Sequence, residues 1–285
     1  MLNALTIDVE DYYHASVFVD VVDQSDWPNY ESRVVRNTER ILTVLSQHNV
    51  KGTFFILGWI AENYPELIKE IDGKGHEIAC HSYDHKLIYK HSQRSFREDI
   101  RRARKILENI TGKKVAGYRA PTFSVINESL WALQILKEEG FEYDSSVFPV
   151  VHDNYGIPDA ERFPSMFQVN GGEAIREFPM STLRILGWNI PVSGGGYLRL
   201  FPYRFIRWAI KRINVIEKQP AIIYFHPWEL DPHQSRIKVG PFSRFRHYVN
   251  LDKMEGKLEN LLRDFKFGTV RDCLKTAFSS TTTFL

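Results

Sequence analysis

The stretch from Asn37 to Cys80 reads NTERILTVLSQHNVKGTFFILGWIAENYPELIKEIDGKGHEIAC, and its hydrophobic rhythm alternates between two periods. Over residues 37–49 the apolar positions Ile41, Leu42, Val44 and Leu45 have the spacing of an amphipathic helix, with Asn37 as its expected N-cap. Thr53-Phe54-Phe55-Ile56-Leu57 is a short unbroken apolar run, the pattern of a buried strand, and Gly58 stops it. Pro65 opens a second helix through Ile71, because its fixed φ suits the first helical turn. Glu77-Ile78-Ala79-Cys80 is the next strand. Short buried strands separated by helices predict βαβ units and a parallel sheet.

The same alternation extends in both directions. Leu5-Thr6-Ile7 is a strand that ends in acids. Ser95-Phe96-Arg97-Glu98 has capping-box spacing and begins a helix to about Ile110, ended by Gly112. Val115 to Tyr118, Glu142-Tyr143, Glu177-Phe178 and Ala221 to Phe225 are further strands, and helices fill 127–139, 202–213 and 253–265. There is no fixed-period repeat and no Pro-, Gly- or Ser-rich linker, so one α/β domain over residues 1–285 is expected. The stretch 150–200, with Gly171-Gly172 and Gly194-Gly195-Gly196, reads as a loop-rich elaboration over one face. Residues 240–285 read as a C-terminal helical extension.

Composition narrows the function. The chain of 285 residues is 43% hydrophobic and 25% charged, which suits a packed globular core. A net charge of +2, with Lys and Arg scattered among acids, gives nucleic acid or an anionic membrane no dominant field to bind. No apolar run approaches the ~20 residues of a membrane span. The opening MLNALTIDVED has no basic or apolar leader pattern, and Cys80 and Cys273 are the only cysteines. Both features read as a cytoplasmic location.

In parallel α/β folds the chemistry gathers at the C-terminal ends of strands. Asp8-Val9-Glu10-Asp11 follows the first strand, and three carboxylates there are costly to bury without a cation or a proton. His81-Ser82-Tyr83-Asp84-His85 follows the strand at 77–80. Histidines four apart can aim their ring nitrogens at one cation, and two histidines plus a carboxylate leave positions open on a zinc-type ion. Arg119, in Tyr118-Arg119-Ala120-Pro121, could hold a carboxylate by a two-pronged hydrogen bond. Asp144, in Asp144-Ser145-Ser146, could orient a histidine or bind substrate. His226, in Phe225-His226-Pro227-Trp228, is placed for proton transfer. Together these are the parts of a metal-assisted amide or ester hydrolase.

These motifs resemble the NodB-homology polysaccharide deacetylases, carbohydrate esterase family four. The likeness is dense over residues 1–150 and returns at 221–232. Gly75 to His85 resembles the family's second motif, Arg119-Ala120-Pro121 the third, Asp144-Ser145-Ser146 the fourth, and the segment ending in His226-Pro227 the fifth. The resemblance implies a distorted (β/α) barrel with fewer than eight complete units. By position it implies Asp8 as catalytic base held by Arg119, His81 and His85 as metal ligands, and His226 as general acid oriented by Asp144. It also implies the Thr122 amide as an oxyanion donor and Ser82 as a substrate contact.

The first motif departs from the family's common form, since Val9 stands where a metal-binding aspartate is usual. A subgroup similar to peptidoglycan deacetylases and metal-free allantoinases spaces its acids by one residue. That pattern makes Glu10 the third ligand, with Asp11 the alternative. Thr122 stands where an aromatic is usual in the third motif. Arg244-Phe245-Arg246-His247-Tyr248 and Phe265-Lys266-Phe267-Gly268-Thr269 resemble deacetylases of exopolysaccharide and exosortase gene clusters. The expected reaction is therefore removal of an N-acetyl group, less expectedly an O-acetyl group, from a bacterial polysaccharide or its precursor, with a divalent cation such as zinc. Two rival expectations are a cyclic-amide hydrolase, whose subgroup tends to lack the histidine ligands, and a non-catalytic glycan-binding module.

Overall fold

The computed structural model describes residues 1–152, 155–169 and 172–279. Its first half runs β1 (Leu2–Val9), α1 (Val34–Gln47), β2 (Thr53–Ile56), α2 (Gly58–Asn63), α3 (Pro65–Gly73) and β3 (Glu77–Cys80). There follow α4 (Gln93–Thr111), β4 (Gly117–Tyr118), α5 (Trp131–Glu138) and β5 (Tyr143–Asp144). The second half adds β6 (Ser165–Gln168), β7 (Ala174–Glu177), β8 (Thr182–Ile185), β9 (Trp188–Pro191), α6 (Gly195–Leu200) and α7 (Tyr203–Val215). It closes with β10 (Ile222–Phe225), α8 (Pro241–Tyr248), α9 (Met254–Asp264), β11 (Lys266–Gly268) and α10 (Val270–Ser279).

One sheet threads the chain in the order β10-β1-β2-β3-β4-β5-β7-β6, and β11 also pairs with β1. All its pairings are parallel except β6 with β7. The sheet curls into the expected distorted (β/α) barrel. Between β7 and β10 the wall is completed by irregular chain: Tyr224 N–H donates to Ser193 O at 2.8 Å, and Ile222 N–H to Ser181 Oγ at 2.8 Å. Gly194 lies so close to Tyr224 that a Cβ there would sit 1.8 Å from the Tyr224 carbonyl oxygen.

Strand alternation sorts the side chains into two layers. Leu5, Ile7 and Val9 of β1, Phe54 and Ile56 of β2, and Ile223 and Phe225 of β10 pack outward beneath the helices. Ala4, Phe55, Ala79, Tyr143, Ile222 and Tyr224 fill the barrel interior. A residue just past a strand's C-terminal end inherits its strand's parity, and that parity builds the site.

Several local expectations are corrected. Asn37 lies buried inside α1, which starts at Val34. Its cap comes from a distant residue: Asp11 Oδ2 accepts from Ser32 Oγ at 2.8 Å, Arg33 N–H at 2.7 Å and Val34 N–H at 3.1 Å. The cap of α4 is Ser92 with Ser95, not Ser95 with Glu98. The helix expected over 127–139 is a separate turn at Asn127–Ser129 followed by α5. Within 150–200 lie two antiparallel strand pairs and α6, and the C-terminal extension contributes β11 to the main sheet. Gly171, like the last residues of that extension, lies outside the described residues. Both cysteines are buried thiols. Among the described residues no helix is long and apolar enough to cross a membrane.

Candidate active site

Asp8 shares the inward parity of Ala4, so its side chain enters the barrel. Residues two apart on a strand face the same way, and Glu10 therefore emerges at the mouth above Asp8. His81 follows Ala79, and His226 follows Ile222 and Tyr224, with the same result. These residues, together with the loop residue Thr122, surround a cleft of about 430 Å³ that Asp8, Glu10, His85, Thr122 and His226 line directly.

Glu10 Oε1 lies 3.0 Å from both His81 Nε2 and His85 Nε2. Asp11, the alternative ligand, is committed to the cap of α1 and faces away. His81 Nδ1 bonds to the Arg119 carbonyl at 2.8 Å, and a ring that donates there presents an Nε2 lone pair to the cleft. His85 is aimed by a left-handed backbone (φ +59°), as is Ser82 (φ +62°). Glu10, His81 and His85 thus form a three-donor set with the chemistry of a hydrolytic divalent-cation site. Burial alone would raise the Glu10 carboxyl, but the charges of His85 and His226 and hydrogen bonds from His81 and His85 hold it well below the usual range.

Arg119 is fully buried, with its guanidinium carbon 4.0 Å from the Phe55 ring centroid. The expected two-pronged grip on a carboxylate is divided instead. Nη1 donates to Asp8 Oδ1 at 2.6 Å and to Thr6 Oγ1 at 2.8 Å, while Nε and Nη2 hold Ser145 O and Oγ. Asp8 is thereby fixed beside the Glu10 cluster.

Two expected roles are not found. Asp144 does not orient His226. Its strand neighbour Tyr143 faces the barrel interior, so Asp144 points outward, where Ser146 N–H and Oγ donate to it at 3.0 and 2.6 Å. There it also meets Glu177, whose carboxyl burial and the Asp144 charge raise well above the normal range. Ser82 is no cleft wall either: it is fully buried and bonds to the Tyr118 hydroxyl at 2.6 Å.

His226 is held by a residue that the sequence reading missed. Its Nδ1 lies 2.7 Å from Glu229 Oε1, which also accepts the His226 N–H at 3.1 Å. Glu229 is fully buried and takes Arg199 Nε on its other oxygen at 2.6 Å. Burial would raise Glu229, but the Arg199 charge and the His226 hydrogen bond and charge hold it below the carboxylate range. Burial would lower His226, yet the Glu10 charge and the hydrogen bond and charge of Glu229 push it up to about 9. His226 Nε2 faces the cleft, 3.9 Å from Glu10 Oε1. The signal for Glu229 was its position three residues after His226, the capping-box interval.

A barrel with a two-histidine, one-carboxylate cluster, a buried Asp–Arg pair and a histidine at its mouth has the groups that a metal-assisted hydrolase would need. Residues 23–143 match the polysaccharide deacetylase family model, and residues 145–275 match a domain of unknown function, DUF3473. Over that first segment the chain is similar to the NodB-homology polysaccharide deacetylases of carbohydrate esterase family four. A peptidoglycan-N-acetylglucosamine deacetylase of Bacillus cereus is 37% identical over 98 residues, 34% of this chain and 36% of that protein. The peptidoglycan-N-acetylmuramic acid deacetylase PdaA of Bacillus subtilis is 30% identical over 105 residues, 37% of this chain and 39% of that one. The chain thus spans little more than a third of the curated relatives' length. A polysaccharide deacetylase-type crystal structure from Mycobacterium smegmatis shares the fold, with a TM-score of 0.62 at 20% identity, over 98% of this chain and 91% of that chain.

Proposed function

We propose that this protein is a metal-dependent deacetylase that hydrolyses N-acetyl groups on N-acetylhexosamine units of a bacterial polysaccharide or its precursor. The observation that carries the reading is the convergence of Asp8, the Glu10–His81–His85 cluster and His226 on one cleft. The relatives' names supply the acyl group and the sugar class. The likeness of the C-terminal segments to exopolysaccharide-associated deacetylases favours an exopolysaccharide precursor.

Glu10, His81 and His85 would hold the cation, zinc in the first instance, which supplies Lewis acidity toward water and the acetyl carbonyl. Asp8, held by Arg119, takes a proton from the attacking water. The Thr122 amide donates to the oxygen that gains charge. As the C–N bond breaks, His226 passes its Nε2 proton to the leaving nitrogen and keeps its Nδ1–H on Glu229. The products are acetate and a free amine.

Acetate release from N-acetylglucosamine oligomers, with zinc and with chelator, tests the proposal. Turnover that chelation stops and zinc restores supports it. Hydrolysis of a small cyclic amide without acetate release from any oligomer would replace it with the other hydrolase reading.

A further inference from the structure

The buried Arg199 of α6 holds more than Glu229. Its Nη1 donates to His247 O at 2.7 Å and Val249 O at 3.2 Å, and its Nη2 to Arg246 O at 3.0 Å. Those carbonyls form the C-terminal end of α8, where a cation is favoured and the last carbonyls lack helical partners. The same helix presents Phe242, Phe245 and Arg246 to the cleft. Trp228 fills the space between, stacked on His226 at 5.0 Å and on His247 at 4.2 Å between ring centroids. Lys257 fixes the end of α6 in turn, its Nζ donating to the carbonyls of Leu198, Arg199 and Phe201 at 2.9, 2.7 and 2.8 Å.

One guanidinium therefore bonds at once to the carboxylate that orients His226 and to the helix that walls the cleft. We infer that Arg199 is a positioning residue that sets His226 through Glu229 and locks the cleft-wall helix α8 to that pair, so that the segment of unassigned function completes the active site. The inference rests on the deacetylase reading for its chemistry but not for its geometry. A buried Glu229 without Arg199 would be an uncompensated charge, and Glu229 would reorient or take up a proton. Either change releases His226 Nδ1, and its ring loses the direction that faces Nε2 into the cleft.

The test is a double-substitution cycle on the zinc-loaded protein, with Glu229→Gln, Arg199→Met and both together. Acetate release from an N-acetylglucosamine oligomer and hydrolysis of an aryl acetate ester are measured in parallel. The ester's leaving group needs little protonation. Glu229→Gln should lower kcat on the oligomer by about 100-fold, the scale of general acid catalysis, with KM within a few-fold and a distinctly smaller loss on the ester. Arg199→Met should lower kcat similarly and raise KM for longer oligomers as α8 loosens. The double variant should have a kcat no lower than the worse single one. Independent, multiplying losses, or equal losses on both substrates, would overturn the inference.

Arg199→Met can fail to fold, and Arg199→Lys then serves, since it keeps the charge but cannot reach all three carbonyls. It should retain most of the kcat while raising KM. Proton and nitrogen NMR of His226 supplies a readout without substrate: the hydrogen-bonded Nδ1–H resonance should be present in the parent and lost in Glu229→Gln. If the parent releases no acetate, the deacetylase reading fails while this resonance still decides the positioning role.

Discussion

Replacing Asp11 by alanine removes a carboxylate on which four protein donors converge. Tyr12 N–H donates to Oδ1 at 2.9 Å, and Ser32 Oγ, Arg33 N–H and Val34 N–H donate to Oδ2. Loss of a helix cap costs about 1–2 kcal/mol. Each amide left buried without a partner adds roughly 1 kcal/mol or more, and two such amides belong to the start of α1. Burial pushes the Asp11 carboxyl up, which offsets part of its benefit, so a total near 3 kcal/mol is expected. For a chain of this size that lowers the melting temperature by roughly 6–12 °C. Cation binding should survive at one equivalent per chain below the transition. Glu10→Ala should do the reverse. It should melt close to the parent in the absence of metal, yet lose far more than the ~10–100-fold in affinity that an outer partner of a ligand contributes. Calorimetric melting of the metal-free proteins, with zinc stoichiometry by elemental analysis, reads both quantities. If Asp11→Ala stripped the cation with its melting temperature unmoved, the division of labour between the two acids would be wrong.

The other tests are more compact. Asp8→Asn should keep one equivalent of zinc but lower kcat for acetate release by about 100-fold or more, since a base is lost and not a ligand. His81→Ala should abolish both zinc binding and turnover, as measured by elemental analysis and acetate assay. His14 is buried with its pKa lowered to about 3 by burial foremost, and its Nδ1 accepts the Asp11 N–H at 2.9 Å. The unfolded chain binds the extra proton below about 6.5, so the stability is present above that pH and is lost as pH falls toward 3. The loss is roughly 1.4 kcal/mol per pH unit across that window, and the urea midpoint of His14→Gln should fall less steeply than the parent's. Gly194→Ala should destabilise the chain by at least 1–3 kcal/mol in urea melts, roughly the cost of overpacking, because its Cβ would collide with the Tyr224 carbonyl.

The sequence carried the barrel because its alternation of short apolar runs and amphipathic helices is local, and so are the strand ends that place Asp8, Glu10, His81, Arg119 and His226. What it did not carry was set by distant chain. The start of α1 is fixed by Asp11, more than twenty residues earlier, which hid the cap and left Asp11 open as a metal ligand. The side-chain parity of β5 was readable in principle, since an inward Tyr143 forces Asp144 outward, but a two-residue strand has no alternation to read. Glu229 lay in plain view three residues after His226. Its charge partner Arg199 did not, because no local pattern in a Gly-rich turn signals a contact with the end of α8.

β1 carries Asp8 and leads directly into Glu10, yet its two neighbours are made far apart along the chain. Its pairing with β2 joins Thr6 to Thr53, whereas its pairing with β10 joins Ala4 to Ile222 and that with β11 joins Leu2 to Lys266. During translation one edge of that strand stays open until Ile222 and Ile223 have emerged, far downstream of β2. At the usual pace of about 5–20 residues per second this is an interval of roughly ten seconds or more. An open apolar edge for that long is an invitation to mispairing. The strand that holds Asp8 thus waits long for its second neighbour, and yield in the cell should depend on what shields it in the meantime.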